Sequence, residues 1–147
     1  MKPFNRRVAV AVIGIGFGAF GLSLAAQSGE TFKAHLSALP ADAKTRADLA
    51  GSGSISAVLA GTKLAITGSF EGLRTAATAA SLHSAVAAGV RGPAIGDLTI
   101  SKAISGTISG SIELTPQQLA SLHKGGLYVQ IQSEKAPDGV LWGWLLR

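Results

Sequence analysis

The chain contains no cysteine. Disulfides, iron–sulfur clusters, thiol nucleophiles, cysteine-based zinc sites and lipid attachment through cysteine are therefore excluded. Aromatic residues make up only 5% of the sequence, with one tyrosine and two tryptophans, too few for an aromatic-rich nucleic-acid platform. Charge is sparse as well: 14% of the 147 residues, against roughly a quarter in ordinary soluble domains. The motifs of common catalytic machinery are missing too. There is no G-x-S-x-G, no H-E-x-x-H and no phosphate-binding P-loop. The serines stand in no pattern that would supply a base, and the eight carboxylates lie mainly in loops or beside turns. Asp97 and Glu113 fall in strand-like stretches, where a solvated face accounts for both. No enzyme and no cofactor are expected.

What is abundant is apolar sequence: 47% hydrophobic residues and a mean hydropathy of +0.37. Much of it lies in residues 1–26. Lys2, Arg6 and Arg7 form a basic end, followed by the uncharged run Val8–Leu24 and by the small residues Ser23, Ala25 and Ala26. This is the layout of a secretory signal peptide. The alternative is a retained N-terminal anchor, though four glycines weaken a run of 17 residues as a spanning helix. Either way residues 27–147 form one domain outside the cytoplasm, because the basic end stays inside. The expected location is the periplasm, at the inner membrane. Gly16, Gly18 and Gly21 spell G-x-G-x-x-G inside this segment. Without a βαβ unit around it, that dinucleotide fingerprint carries no weight. Without Lys2, Arg6 and Arg7, ten cations face eight carboxylates, a net charge of about +2. No two cations are adjacent after Arg7, so a nucleic-acid partner is not expected.

The remainder alternates with period two. Phe32, Ala34 and Leu36 share one face of a strand. Residues 51–59 and 63–70 read as a hairpin around Gly61, with Ile55, Leu59, Leu64 and Ile66 pointing inward. Further strands are expected over 75–84, 97–100, 106–114, 127–133 and 140–146, the last pair joined by the turn Pro137-Asp138-Gly139. One helix is marked by a capping box, Thr115-Pro116-Gln117-Gln118, and ended by Gly125-Gly126. Many short strands separated by turn signals point to an antiparallel sandwich or barrel.

The order of these pieces resembles the CHRD domain, a family named for chordin and also found in exported bacterial proteins. Phe32-Lys33-Ala34-His35-Leu36-Ser37 matches its opening F-x-A-x-L-S. Ser81-Leu82-His83 and Gly92-Pro93 stand at its central H-x-H and G-P, and the helix with Tyr128 at its G-x-x-Y. Residues 137–145 correspond to its closing P-x-G-E-[IL]-R-G-Q-[IL]. The resemblance implies an all-β fold, an antiparallel immunoglobulin-like β-sandwich with one short helix. Relatives usually carry three histidines, two in the H-x-H and one in an N-[VI]-H-T segment. Such a cluster could ligate a metal. Here Ser81 and Gln132 occupy two of those places and only His83 remains. A structural role is thus expected for His83, as for His35 and His123, and copper or zinc binding through His83 is the alternative.

The closing strand departs in one direction. Leu141 and Leu145 should face the core, which leaves Val140, Trp142, Trp144 and Leu146 on the other face. Across the hairpin, Val129 and Ile131 go inward and Tyr128, Gln130 and Gln132 lie beside the tryptophans. Both faces of this strand are apolar, whereas a two-layer sandwich normally buries only one. The tryptophans either sit under a loop such as residues 89–96 or form a contact surface for another protein. The second reading makes Tyr128, Gln130, Gln132, Val140, Trp142 and Trp144 a partner interface. The chain would then be a small accessory subunit that docks or stabilises a larger complex outside the cytoplasm. A periplasm-facing quinoprotein alcohol dehydrogenase is one candidate. Membrane association would come through that partner or through a retained N-terminal helix, which would also serve a surface interaction protein.

Overall fold

The computed structural model describes residues 29–147; the signal or anchor expected at 1–26 lies outside them. Eight strands and one helix follow in order: β1 Glu30–Ala38, β2 Ser52–Ala60, β3 Lys63–Glu71, β4 Ala77–Ser84, β5 Ala94–Ile100, β6 Gly106–Glu113, α1 Pro116–His123, β7 Leu127–Ser133 and β8 Ala136–Trp144. Period-two patterning puts Phe32 and Leu36 of β1, Ile55 and Leu59 of β2, and Leu64 and Ile66 of β3 into one core. Leu82, Ile108, Ile131, Leu141 and Leu145 fill the rest of it. The capping box forms as expected. Gln118 N donates to Thr115 Oγ1 (3.2 Å), and Thr115 N donates to Gln118 Oε1 (2.9 Å). Leu122 of the helix is buried.

All pairings are antiparallel, and the strands run around a closed barrel in the order β1-β2-β3-β6-β5-β4-β7-β8. The stretches β3-β6-β5-β4 and β6-β5-β4-β7 are overlapping Greek keys. The expected all-β class with one short helix holds, but the sandwich is replaced by a barrel. Two seams make the difference. β1 meets β8 at Ser37↔Trp142 and Ala38↔Leu141, extended by reciprocal bonds between Lys33 and Leu146 (2.7 and 2.9 Å). β5 meets β6 at Thr99↔Ser109 and Ile100↔Ile108. With both seams hydrogen-bonded, the sheet has no free edge.

The β7–β8 connection also departs from expectation. The tight turn is Glu134-Lys135, between the paired residues Ser133 and Ala136. Pro137-Asp138-Gly139 instead lies in a wide bulge of β8, where Gln132 alone faces the residues between Ala136 and Leu141. Proline cannot donate to a ladder and is tolerated at such a bulge. Gly139 supplies a φ of 122°, which residues with a side chain rarely adopt. The irregularity breaks the alternation that would have turned Val140 outward. Val140 is completely buried in the core, and its carbonyl accepts from Leu39 N across the barrel seam (3.1 Å).

Candidate interaction surface

The outer face of β4, β7 and β8 carries a second, smaller packed layer. Alternation along β7 sends Tyr128 and Gln130 out of the barrel, yet both are buried, at 1% and 4% exposure. Trp142 and Trp144 flank them from β8, since Tyr128 pairs with Trp144 and Gln130 with Trp142. The Tyr128 ring lies 4.4 Å from that of Trp144 and 5.9 Å, edge-on, from that of Trp142, and the two indoles are 5.8 Å apart. On its other side Tyr128 stacks on His83 of β4, with centroids 4.8 Å apart and planes 19° from parallel. These are favourable offset and edge-to-face arrangements.

The lid on this layer is the connection between β4 and β5. Gly92 N donates to the Tyr128 hydroxyl (3.0 Å), and that hydroxyl donates to Gly92 O (3.2 Å). His83 Nδ1 also bonds Gly92 O (2.9 Å), and Nε2 bonds the Ser81 hydroxyl (2.9 Å). A carbonyl only accepts, so Nδ1 carries a proton, and Nε2 shares the second bond with the Ser81 hydroxyl. Gly92 can approach so closely because it has no Cβ; one there would collide with the Ser84 carbonyl oxygen. At the far end of the layer, Gln130 Nε2 and Arg91 Nη1 both donate to Asp138 O (3.2 Å each). Gln130 Oε1 is buried without a partner.

Of the residues expected at a partner interface, Trp142, Trp144 and Gln132 are half-buried on this face. Tyr128 and Gln130 belong to the same cluster but lie beneath the lid. Val140 lies in the core, away from it. A loop covers Tyr128, while both indoles keep an accessible edge. Sequence reasoning placed neither Ser81 nor His83 in this layer, and offered residues 89–96 as a cover for the tryptophans without singling out Gly92. A signal existed for the first two, because residues two apart on a strand share a face. Gly92 acts through its backbone and left no side-chain signal.

With both ring nitrogens of His83 engaged, a metal would have to displace the Ser81 hydroxyl, and across the strand pair stand Gln130 and Tyr128 rather than histidines. His35 is exposed on β1, and His123 pairs with Glu30 (3.1 Å) at the end of α1. Calorimetric titration with Cu(II) or Zn(II) is accordingly expected to show no one-to-one micromolar binding that His83→Ala removes. Toward the barrel end that holds the β1–β2 loop, a cleft of about 470 Å³ is lined by Asp42, Thr45 and Asp138 and by Arg91 reaching over from the β4–β5 connection, among others. Asp42 is occupied there in holding a turn. The backbone N–H groups of Thr45 and Lys44 bond its carboxylate and hold it below its usual pKa.

A closed antiparallel barrel with an aromatic layer on one outer face defines a β-rich domain stabilised on both sides of its β7 strand. The family model of the CHRD domain matches residues 32–145, and the chain belongs to that family. The family is one of non-enzymatic domains. No curated protein and no solved structure matches the chain.

Proposed function

We propose that this CHRD domain is a non-catalytic, exported interaction module, and that the half-buried edges of Trp142 and Trp144 are the centre of its contact with a larger protein subunit outside the cytoplasm. The observation that carries this reading is the pair of indoles. They are fixed in orientation by Tyr128, yet left partly open on a surface that the loop between β4 and β5 covers only in part. Rigid aromatic side chains beside polar groups such as Gln132 are what interface hot spots use. Covering on the order of 100 Å² of indole that stays open on two half-buried rings contributes about 2–3 kcal/mol at ~25 cal/mol/Å². That supports a hot spot inside a larger contact, not a whole interface. A small accessory subunit of a membrane-bound, periplasm-facing complex fits this description, with a quinoprotein alcohol dehydrogenase as one such complex.

Purification of the tagged full chain from its native membrane tests the proposal. A stoichiometric partner should co-purify and be lost with Trp142→Ala combined with Trp144→Ala, while the far-ultraviolet circular dichroism of the variant stays that of the parent. A chain that elutes alone and monodisperse, or a double variant that retains the partner, would overturn it.

A further inference from the structure

One end of the barrel gathers the start of β1, the β2–β3 turn, the β4–β5 connection, the residues after α1 and the C-terminal Leu146-Arg147. Backbone contacts tie these pieces together. Ala85 N donates to Gly126 O (2.8 Å), Leu146 bonds Lys33 in both directions, and a Cβ on Gly125 would touch Leu146 Cδ2 at 3.0 Å. Among the described residues, five large hydrophobic side chains are exposed, and four of them belong to elements meeting at this end: Val58, Val86, Val90 and Leu146. Val86 is 93% exposed. It sits in Ala85-Val86-Ala87-Ala88-Gly89-Val90, a stretch with no charged residue. The fixed aromatic layer beneath does not bury it, so its exposure is not a gap in the domain's own packing. Lys63 and Lys124 stand around the same end together with Glu113, while Arg147 is paired there with Glu30.

Gly29, the first described residue, also lies here; a Cβ on it would meet Val58 Cγ1 at 3.1 Å. Upstream the sequence holds the uncharged run Val8–Leu24, and only residues 25–28 separate the two. Fully extended, four residues reach about 14 Å. The headgroup layer of one leaflet is roughly 5–8 Å thick. In the retained-anchor form of the chain, a bilayer holding that run lies within contact distance of this end of the barrel and of no other.

We propose that this end of the barrel rests on the membrane surface, with Val86 and Val90 entering the boundary between headgroups and acyl chains. Lys63 and Lys124 then face the phosphates of anionic lipids. Apolar burial combined with cationic contact is the general means of interfacial attachment. The contact goes beyond tethering by the N-terminal segment, because the barrel itself touches lipid. It would orient the domain and turn the outer face of β8 sideways, parallel to the membrane, toward a neighbouring membrane-bound subunit.

The absence of cysteine makes the test direct. Val86→Cys, Val90→Cys and, at the opposite end, Lys44→Cys are each labelled with nitrobenzoxadiazole in the full chain. Each is then reconstituted into phosphatidylethanolamine–phosphatidylglycerol vesicles. Emission at positions 86 and 90 should shift to the blue and be quenched by lipids carrying a doxyl group on the acyl chain, with neither effect at position 44. Two outcomes overturn the proposal: unquenched emission at 86 and 90 matching that at 44, or unquenched probes together with a disulfide-linked dimer formed on air oxidation of the unlabelled Val86→Cys chain, which gives the loop to a second copy. The vesicles hold no other protein, so the result is independent of the partner proposed for Trp142 and Trp144.

Discussion

Replacing Tyr128 by alanine should destabilise the domain by about 3–5 kcal/mol, the range for truncating a large buried aromatic ring. For a domain whose total stability is of the order of 5–15 kcal/mol, that is a large fraction. The ring is 1% exposed and touches His83, Trp142 and Trp144, and its hydroxyl bonds both the N–H and the carbonyl of Gly92. Removing it takes the middle out of the outer layer, and the β4–β5 connection loses two of its bonds, keeping those of Gly92 to His83 and of Arg91 to Asp138. Tyr128→Phe separates these effects. It keeps the stacking and removes only the two bonds to Gly92, at a cost of about 1–2 kcal/mol. Urea titration measures both costs as shifts of the midpoint at unchanged slope. Limited proteolysis adds a local readout, because Arg91 is the only cation between β4 and β5. Trypsin should cut after Arg91 faster in both variants than in the parent. A Tyr128→Ala protein with the parent's midpoint would mean that the outer layer contributes nothing to stability.

That layer shows where a sequence is informative and where it is not. Alternation, phased by the family's apolar positions at Leu141 and Leu145, puts Trp142, Trp144, Tyr128 and Gln130 on one outer face, and the strand register holds them there. Their degree of burial was not legible, because the lid is held through the backbone of Gly92. The inward faces of β1, β2 and β3 were equally plain, since Phe32, Leu36, Ile55, Leu64 and Ile66 follow a strict period of two. Pro137-Asp138-Gly139 misled for a physical reason. Those residues suit a turn and a bulge alike, whereas Glu134-Lys135, the turn that does form, has no residue with a special backbone preference. Val140 went inward as a consequence. The choice between sandwich and barrel rests on pairing between strands far apart in the chain. The Ser37↔Trp142 and Thr99↔Ser109 seams leave no local pattern, because each strand alternates identically whether or not its neighbour closes the sheet.

The closure itself makes the second large prediction. Gly143 stands where β8 passes β1, and a Cβ there would lie 2.6 Å from His35 O and 3.0 Å from Leu36 Cδ2. Backbone, not a flexible side-chain tip, is the nearer obstacle, so the strands must separate to admit any side chain. Gly143→Val should therefore cost about 1–3 kcal/mol in overpacking. Each seam hydrogen bond that it breaks adds about 0.5–1.5 kcal/mol. The bonds at risk are Lys33 N to Leu146 O, Leu146 N to Lys33 O and Leu39 N to Val140 O. Together these place the loss at about 3–6 kcal/mol, with Gly143→Ala smaller but of the same sign. Amide hydrogen exchange locates the damage. Protection at Lys33, Leu39 and Leu146 should fall first, while the β2–β3 pairs from Ser52↔Glu71 to Ala60↔Lys63 keep theirs. An open sandwich would have no β1–β8 contact to lose at this point. Unchanged stability with parental protection at those three amides would therefore mean that the barrel does not close through this seam. The family's closing pattern places a glycine at this position, and the close passage of β1 is the physical reason this chain needs one there.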